Sequence, residues 1–332
     1  QAAKEKWLLG NVPESRRILE EANRHNPGNE QILLAAAKLE WENAETDRAR
    51  VLLQRAREAT PSARVYMKAA LLERECGNRD AEGAILAEGL TRFKTAPKLW
   101  MMAGQLAEAQ DDNGRALALY QRGVQACPGS VPLWKLAAKL VERTGGHVKV
   151  RSLLEMARLK NPKNEELFLE SVRLEKRAGN EKLAASLLAK GLQECPTSGL
   201  LYAEEIQGAP RAVQRRKSLD ALKRTDNHPL VVVEVARFFA RCNKYEMARE
   251  WLHRAVSLDP DNGDIWALFL QFEHAHGTPD HMEKVIAKAE EVKPRHGALW
   301  CAVSKQTVNR RKSVRDLLPL VVATLPPLVG GA

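Results

Sequence analysis

The stretch "CPGSVPLWKLAAKL" (residues 127–140) sets Pro128 six residues before Trp134 and then continues in an apolar pattern of helical period. The same order returns down the chain. "NPKNEELF" puts Pro162 six before Phe168, "CPTSGLLY" puts Pro196 six before Tyr202, "DPDNGDIW" puts Pro260 six before Trp266, and "KPRHGALW" puts Pro294 six before Trp300. The proline slots fall at Pro27, Pro61, Pro128, Pro162, Pro196, Pro260 and Pro294. The step from Pro128 to Pro162 is repeated unchanged from Pro162 to Pro196 and from Pro260 to Pro294, and Lys94, followed six residues later by Trp100, fills the slot missing between Pro61 and Pro128. The stretch from Pro196 to Pro260 holds two units only if one is shortened, which places an irregular repeat near residues 207–226, around "QGAPRAVQRR".

Other columns keep this register without proline. Five residues before each slot stands Ala or Gly: Ala22, Ala56, Gly89, Gly123, Ala157, Gly191, Ala221, Ala255 and Ala289. Eight before it stands a larger apolar residue, such as Leu53, Tyr120 or Leu252, and twelve before it a small or medium one, such as Ala49, Ala116 or Ala248. Spacings of four and seven put these on one helical face. Each unit is therefore expected to hold two helices, the first opening near the aromatic and the second stopping before a proline that has no N–H to prolong it.

Small residues let helix backbones approach and aromatics fill the remaining space, so Trp134 is expected to fill the notch at Gly123, with Trp100, Phe168, Tyr202, Trp266 and Trp300 as its equivalents. A pair of short helices cannot bury its apolar faces alone, and stacking makes a continuous core. The expectation is an all-α, right-handed superhelical solenoid of about nine hairpins, one array over residues 1–332. The opening "KEKWLLGNVPESRRILEEA" reads as the end of one helix and then the second helix of a unit whose start is missing, as in a fragment of a longer protein.

A hairpin of about 34 residues with aromatic, small, bulky and proline columns resembles the tetratricopeptide repeat. The usual Gly and Tyr columns of its first helix are weak here. A Glu recurs instead, at Glu40, Glu175 and Glu273, and an Arg follows the small residue of the second helix in "ARVLLQRA" (49–56) and "AREWLHRA" (248–255). This combination resembles the half-a-TPR, or HAT, repeat family. The segments "ARLKNPKNEELFLESVRLEKRAGN" (157–180) and "KPRHGALWCAVSK" (293–305) are similar, at more positions than repeat architecture needs, to repeat regions of that family in the splicing machinery. The resemblance implies a non-enzymatic, nuclear scaffold bridging protein components of the U5 and U4/U6 particles in the tri-snRNP. The alternative is a HAT/TPR adaptor of another RNA-processing or chaperone assembly that contacts RNA directly.

Composition limits the remaining function classes. No apolar run reaches the length of a membrane span, and the most apolar segment, "LLPLVVATLPPLV" (317–329), carries three prolines, so a soluble protein without a membrane partner is expected. The start lacks the apolar core of a signal peptide, and five scattered cysteines show no CxxC pairing, which fits a reducing compartment. The phosphate-loop, nucleophile-elbow, zinc-protease and dinucleotide motifs are absent, so no catalytic residues, cofactor or metal are expected. His274, His276 and His281 of "EHAHGTPDH" are expected in a solvated turn, and Cys127 and Cys195, each preceding a slot proline, as buried, unreactive thiols.

The net charge of +10 concentrates in "RAVQRRKS" (211–218) and "KQTVNRRKSVR" (305–315). Arg215, Arg216 and Lys217, and likewise Arg310, Arg311 and Lys312, are close enough in sequence to grip a partner's acidic group or the phosphates of a small nuclear RNA at the periphery. No aromatics interleave with them, so base-stacking readout is not expected.

Overall fold

The computed structural model describes residues 2–309 and 312–326. Among them every regular element is helical; two residues, Asn262 and His296, form an isolated bridge. The chain divides into two compact units, residues 1–162 and 163–332. The first unit holds five hairpins: α1 (Ala2–Leu8) with α2 (Val12–His25), α3 (Glu30–Glu42) with α4 (Thr46–Ala59), α5 (Ala63–Glu75) with α6 (Arg79–Arg92), α7 (Pro97–Ala109) with α8 (Asn113–Ala126), and α9 (Val131–Arg143) with α10 (His147–Lys160). The second holds α11 (Glu165–Arg177) with α12 (Glu181–Glu194), α13 (Gly199–Gln207) with α14 (Arg211–Arg224), α15 (Pro229–Arg241) with α16 (Tyr245–Leu258), α17 (Gly263–His276) with α18 (Pro279–Val292), and α19 (Ala298–Ser304) with α20 (Val314–Val322).

The columns describe where each second helix stops. The backbone N–H one residue before each slot donates to the carbonyl of the small residue in all nine units, from Asn26 to Ala22 through Lys293 to Ala289. The slot's own carbonyl has a different use. The indole N–H of Trp134 donates to Pro128 O at 2.9 Å, that of Trp266 to Pro260 O at 2.8 Å, and that of Trp100 to Lys94 O at 2.7 Å. The spacing of six thus lets a buried indole satisfy its donor, and Lys94 serves as well as proline because any residue supplies a carbonyl. Trp100, Trp134, Phe168, Tyr202, Trp266 and Trp300 are all 3–5% exposed.

The knob at Gly123 differs from the expectation. A methyl built there would lie 2.9 Å from Trp100 Cβ, so the ring that fills the notch comes from the first helix of the same hairpin. Trp134 belongs to the next hairpin, and that hairpin contributes Leu133, 3.3 Å away, instead. Gly89 against Tyr66 and Gly191 against Phe168 follow the same rule. Gly123→Ala is expected to cost about 1–3 kcal/mol from overpacking, less up to about 1 kcal/mol gained in helix propensity. Gly89→Ala, whose methyl meets Tyr66 Cβ at 3.1 Å, should cost less, and urea midpoints of the two variants check the order.

The Glu and Arg columns are partners. Arg16 in α2 grips Glu40 in α3 at 2.8 and 2.7 Å, Arg50 in α4 grips Glu73 in α5 at 2.6 and 3.2 Å, and Arg249 in α16 grips Glu273 in α17 at 2.6 and 3.0 Å. Each is a bidentate fork from the second helix of one hairpin to the buried first-helix carboxylate of the next. Tyr66 and Glu73 escape the sequence columns because the link from α4 to α5 is one residue shorter, which puts the aromatic five residues after Pro61.

Candidate functional site

Hairpin packing uses up the aromatics and the Arg–Glu forks, so candidate contacts must come from what the helices leave exposed. The irregular repeat supplies the most basic helix. The residues by which its interval falls short of two full periods are missing from α13, which has nine residues where α11 and α15 have thirteen. Gly208, Ala209 and Pro210 then close the hairpin. The buried Gln214 side chain holds it, donating to Ile206 O at 3.2 Å and Ala209 O at 2.9 Å.

The next helix, α14, carries six basic residues against one acid, Asp220. Arg215 and Arg216 are exposed, with no ion-pair partner among the described residues. Lys217 is not their companion. It lies about 100° further round the helix from Arg216, half-buried, with its Nζ 2.9 Å from Glu205 Oε1. Lys223, seven residues after Arg216, shares the exposed face and was missed because helical neighbours are not sequence neighbours. Arg211 and Arg224 are engaged, by Arg241 O at 2.8 Å and Asp220 at 3.0 Å. In the second cluster Lys312 is exposed, whereas Arg310 and Arg311 lie outside the described residues.

The histidines are less solvated than expected. His274 is exposed, but His276 stacks on Tyr245 with ring centroids 4.1 Å apart, and His281 Nδ1 is buried without a hydrogen bond, 3.6 Å from Glu273 Oε2. The reason is that His276 ends α17 and His281 opens α18, so both rings face helix neighbours. Among the described residues no three metal-ligating side chains converge. Cys127 is buried, while Cys195 is half-buried and lies 3.2 Å from Lys163 O. Burial pushes both thiols above their ordinary range, which keeps them protonated and poorly nucleophilic. No helix among the described residues is long and apolar enough to cross a membrane.

Residues 7–72 and 97–140 each match a family model described as "Tetratricopeptide repeat". The chain carries tetratricopeptide repeats. Its repeats are similar to those of "Pre-mRNA-processing factor 6" of Homo sapiens, 48% identical over 115 residues, which are 35% of this chain and 12% of that protein. "Protein STABILIZED1" of Arabidopsis thaliana is 57% identical over 281 residues, 85% of this chain and 27% of the relative. "Pre-mRNA-splicing factor prp1" of Schizosaccharomyces pombe is 37% identical over 112 residues, 34% of this chain and 12% of that factor. The matched repeats thus span between 12% and 27% of these relatives.

Proposed function

We propose that this tetratricopeptide-repeat chain is part of a non-enzymatic, nuclear scaffold of the pre-mRNA splicing machinery that bridges protein components of the U5 and U4/U6 particles in the tri-snRNP. The similarity to a pre-mRNA-processing and a pre-mRNA-splicing factor carries this reading. The fold supports it physically. Buried aromatics hold the hairpins and forks tie three of the junctions, so within each unit the exposed helix faces can diverge to suit partners while the packing stays rigid. On this reading the six buried aromatics of the slot register hold the repeats in place, and the chain needs no cofactor.

Affinity purification of the tagged chain from nuclear extract, with and without ribonuclease, tests the proposal. Proteins of the U5 and U4/U6 particles should co-purify and stay after ribonuclease. Recovery of chaperones or of an unrelated RNA-processing assembly in their place would overturn it.

The exposed face of Arg215, Arg216 and Lys223 favours a second contact, with small nuclear RNA at the periphery, to which Lys312 and its neighbours Arg310 and Arg311 would add. Replacing Arg215, Arg216 and Lys223 together by Gln is expected to leave protein co-purification intact and to flatten the salt dependence of small nuclear RNA binding by up to about three units of slope. An unchanged slope removes the RNA contact from the reading. Loss of the co-purifying proteins would show that RNA, not protein, carries the assembly.

A further inference from the structure

Successive second helices leave a groove between them, floored by the first helix that both pack on. Three such grooves carry the same fork; in α2–α3–α4 the tenth residue of α4, Arg55, shares the lining with Glu20 and Asp47 as well as Glu40, and the other two make the sharper comparison. In α4–α5–α6 the fork is Arg50, fifth residue of its helix, on Glu73, the eleventh of its own; in α16–α17–α18 it is Arg249 on Glu273, fifth and eleventh again. The tenth residue of the last helix differs. In α6 it is Glu88, whose carboxylate receives Arg57 at 3.3 Å and the Tyr66 hydroxyl. In α18 it is Lys288, exposed and without an ion-pair partner among the described residues, and Val256 stands where Arg57 would be.

The α16–α18 groove, about 270 Å³, is therefore cationic. From α16 it is lined by Arg249 and His253, from α17 by Trp266, Phe269 and Glu273, and from α18 by His281, Lys284, Val285 and Lys288. Its single carboxylate, Glu273, is committed to Arg249, and Lys284 is held by Asp280 at 2.6 Å. Two acids of α18 face away from the groove: Glu283 and Glu290 both bind Arg315 of α20, at 2.7 and 3.0 Å. Glu283 and Glu290 of α18 thus turn toward α20 while Lys284 and Lys288 line the groove, leaving Lys288 and His253 beside an apolar floor with no carboxylate paired to either among the described residues.

We propose that this groove docks an acidic segment of a partner protein, seating a glutamate or aspartate carboxylate between Lys288 and His253 with its stem on the apolar floor. The guest supplies the charge that Glu88 supplies from within the chain in the α4–α5–α6 groove. A peptide fits better than RNA because Trp266 and Phe269 are buried in the floor and offer no open ring face to a base. His253 is exposed on its outer side and packs edge-to-face with Phe269, centroids 4.7 Å apart; the desolvation of that contact, followed by the charge of Lys288, holds its pKa below the ordinary histidine value. A bound carboxylate offsets the charge of Lys288 and favours the imidazolium, so binding takes up a proton and tightens as pH falls.

The inference deepens the scaffold reading and rests on it only in assigning the groove to a protein partner. Its test uses the full chain, a fluorescein-labelled poly(Glu-Leu) peptide, the Gln-Leu counterpart and labelled poly(U), read by fluorescence anisotropy. The Glu-Leu probe should bind at least about tenfold more tightly than its Gln-Leu counterpart, a difference of about 1.4 kcal/mol. Lys288→Glu, which installs the carboxylate found in α6, should abolish that preference, whereas the same charge change at exposed Lys182 of α12 should not. The preference should grow from neutral to mildly acid pH in the parent and lose that growth in His253→Ala. Failure of the Glu-Leu probe to bind, equal binding of both peptides, indifference to Lys288→Glu, or poly(U) binding that depends on Lys288 would each overturn the proposal. If splicing proteins still co-purify, only the groove is lost and the scaffold reading stands.

Discussion

Replacing Trp134 by Ala lowers the stability of the first unit by about 3–5 kcal/mol, the range for deleting a buried tryptophan. The ring is 4% exposed and ties α9 to the end of the preceding hairpin through the indole bond to Pro128 O. Because each hairpin leans on its neighbours, amide hydrogen exchange should rise most in α8, α9 and α10 and little in α1 to α4. Equal acceleration in α1 would mean that the unit melts as one cooperative block. Trp134→Phe separates the two contributions: it keeps most of the apolar volume, and losing the indole bond should cost about 1 kcal/mol, since Pro128 O still receives Asn161 Nδ2 at 2.9 Å.

The second large effect is at the fork between α4 and α5. Arg50→Met should cost about 3 kcal/mol, the lower end of the range for breaking a buried pair, because Arg50 itself is 39% exposed while the Glu73 side chain is only 5% exposed. Asn78 at 2.8 Å is then the main remaining partner of a buried charge. Adding Glu73→Leu to Arg50→Met should recover most of the loss, since no uncompensated charge remains. The pair also sets a pH dependence. The hydrogen bond from Arg50 holds Glu73 below the ordinary carboxylate value of 4.5, so its contribution is fully present above that value and fades as pH falls through the lower, folded-state pKa. Urea midpoints of the parent and Glu73→Gln should therefore converge in acid. A gap that persists there would assign the stability to packing rather than charge.

The sequence by itself determined the repeat. A slot that returns at a constant step, with a small residue five before it and an aromatic six after it, suffices to place helix ends and buried rings, because such periodicity reflects one hairpin packed again and again. It also pointed to an irregular unit, since a shortened repeat shifts every later column, but the missing residues belong to α13, Gly199–Gln207, rather than to the 207–226 stretch. Pairings between columns are another matter. Gly123 lies between Trp100 and Trp134 in the chain, and a repeating pattern offers both rings equally; backbone proximity within the hairpin chose Trp100. The Glu and Arg columns were each visible, but that they meet as forks from one hairpin to the next required their distance in space. A link one residue shorter hid Tyr66 and Glu73. On α14, adjacency misled, because consecutive helical residues point about 100° apart: Lys217 turned to Glu205 and Lys223 joined Arg216. The cationic groove joins His253 and Lys288 from separate helices, and only tertiary packing decides that, among the described residues, neither is paired with a carboxylate.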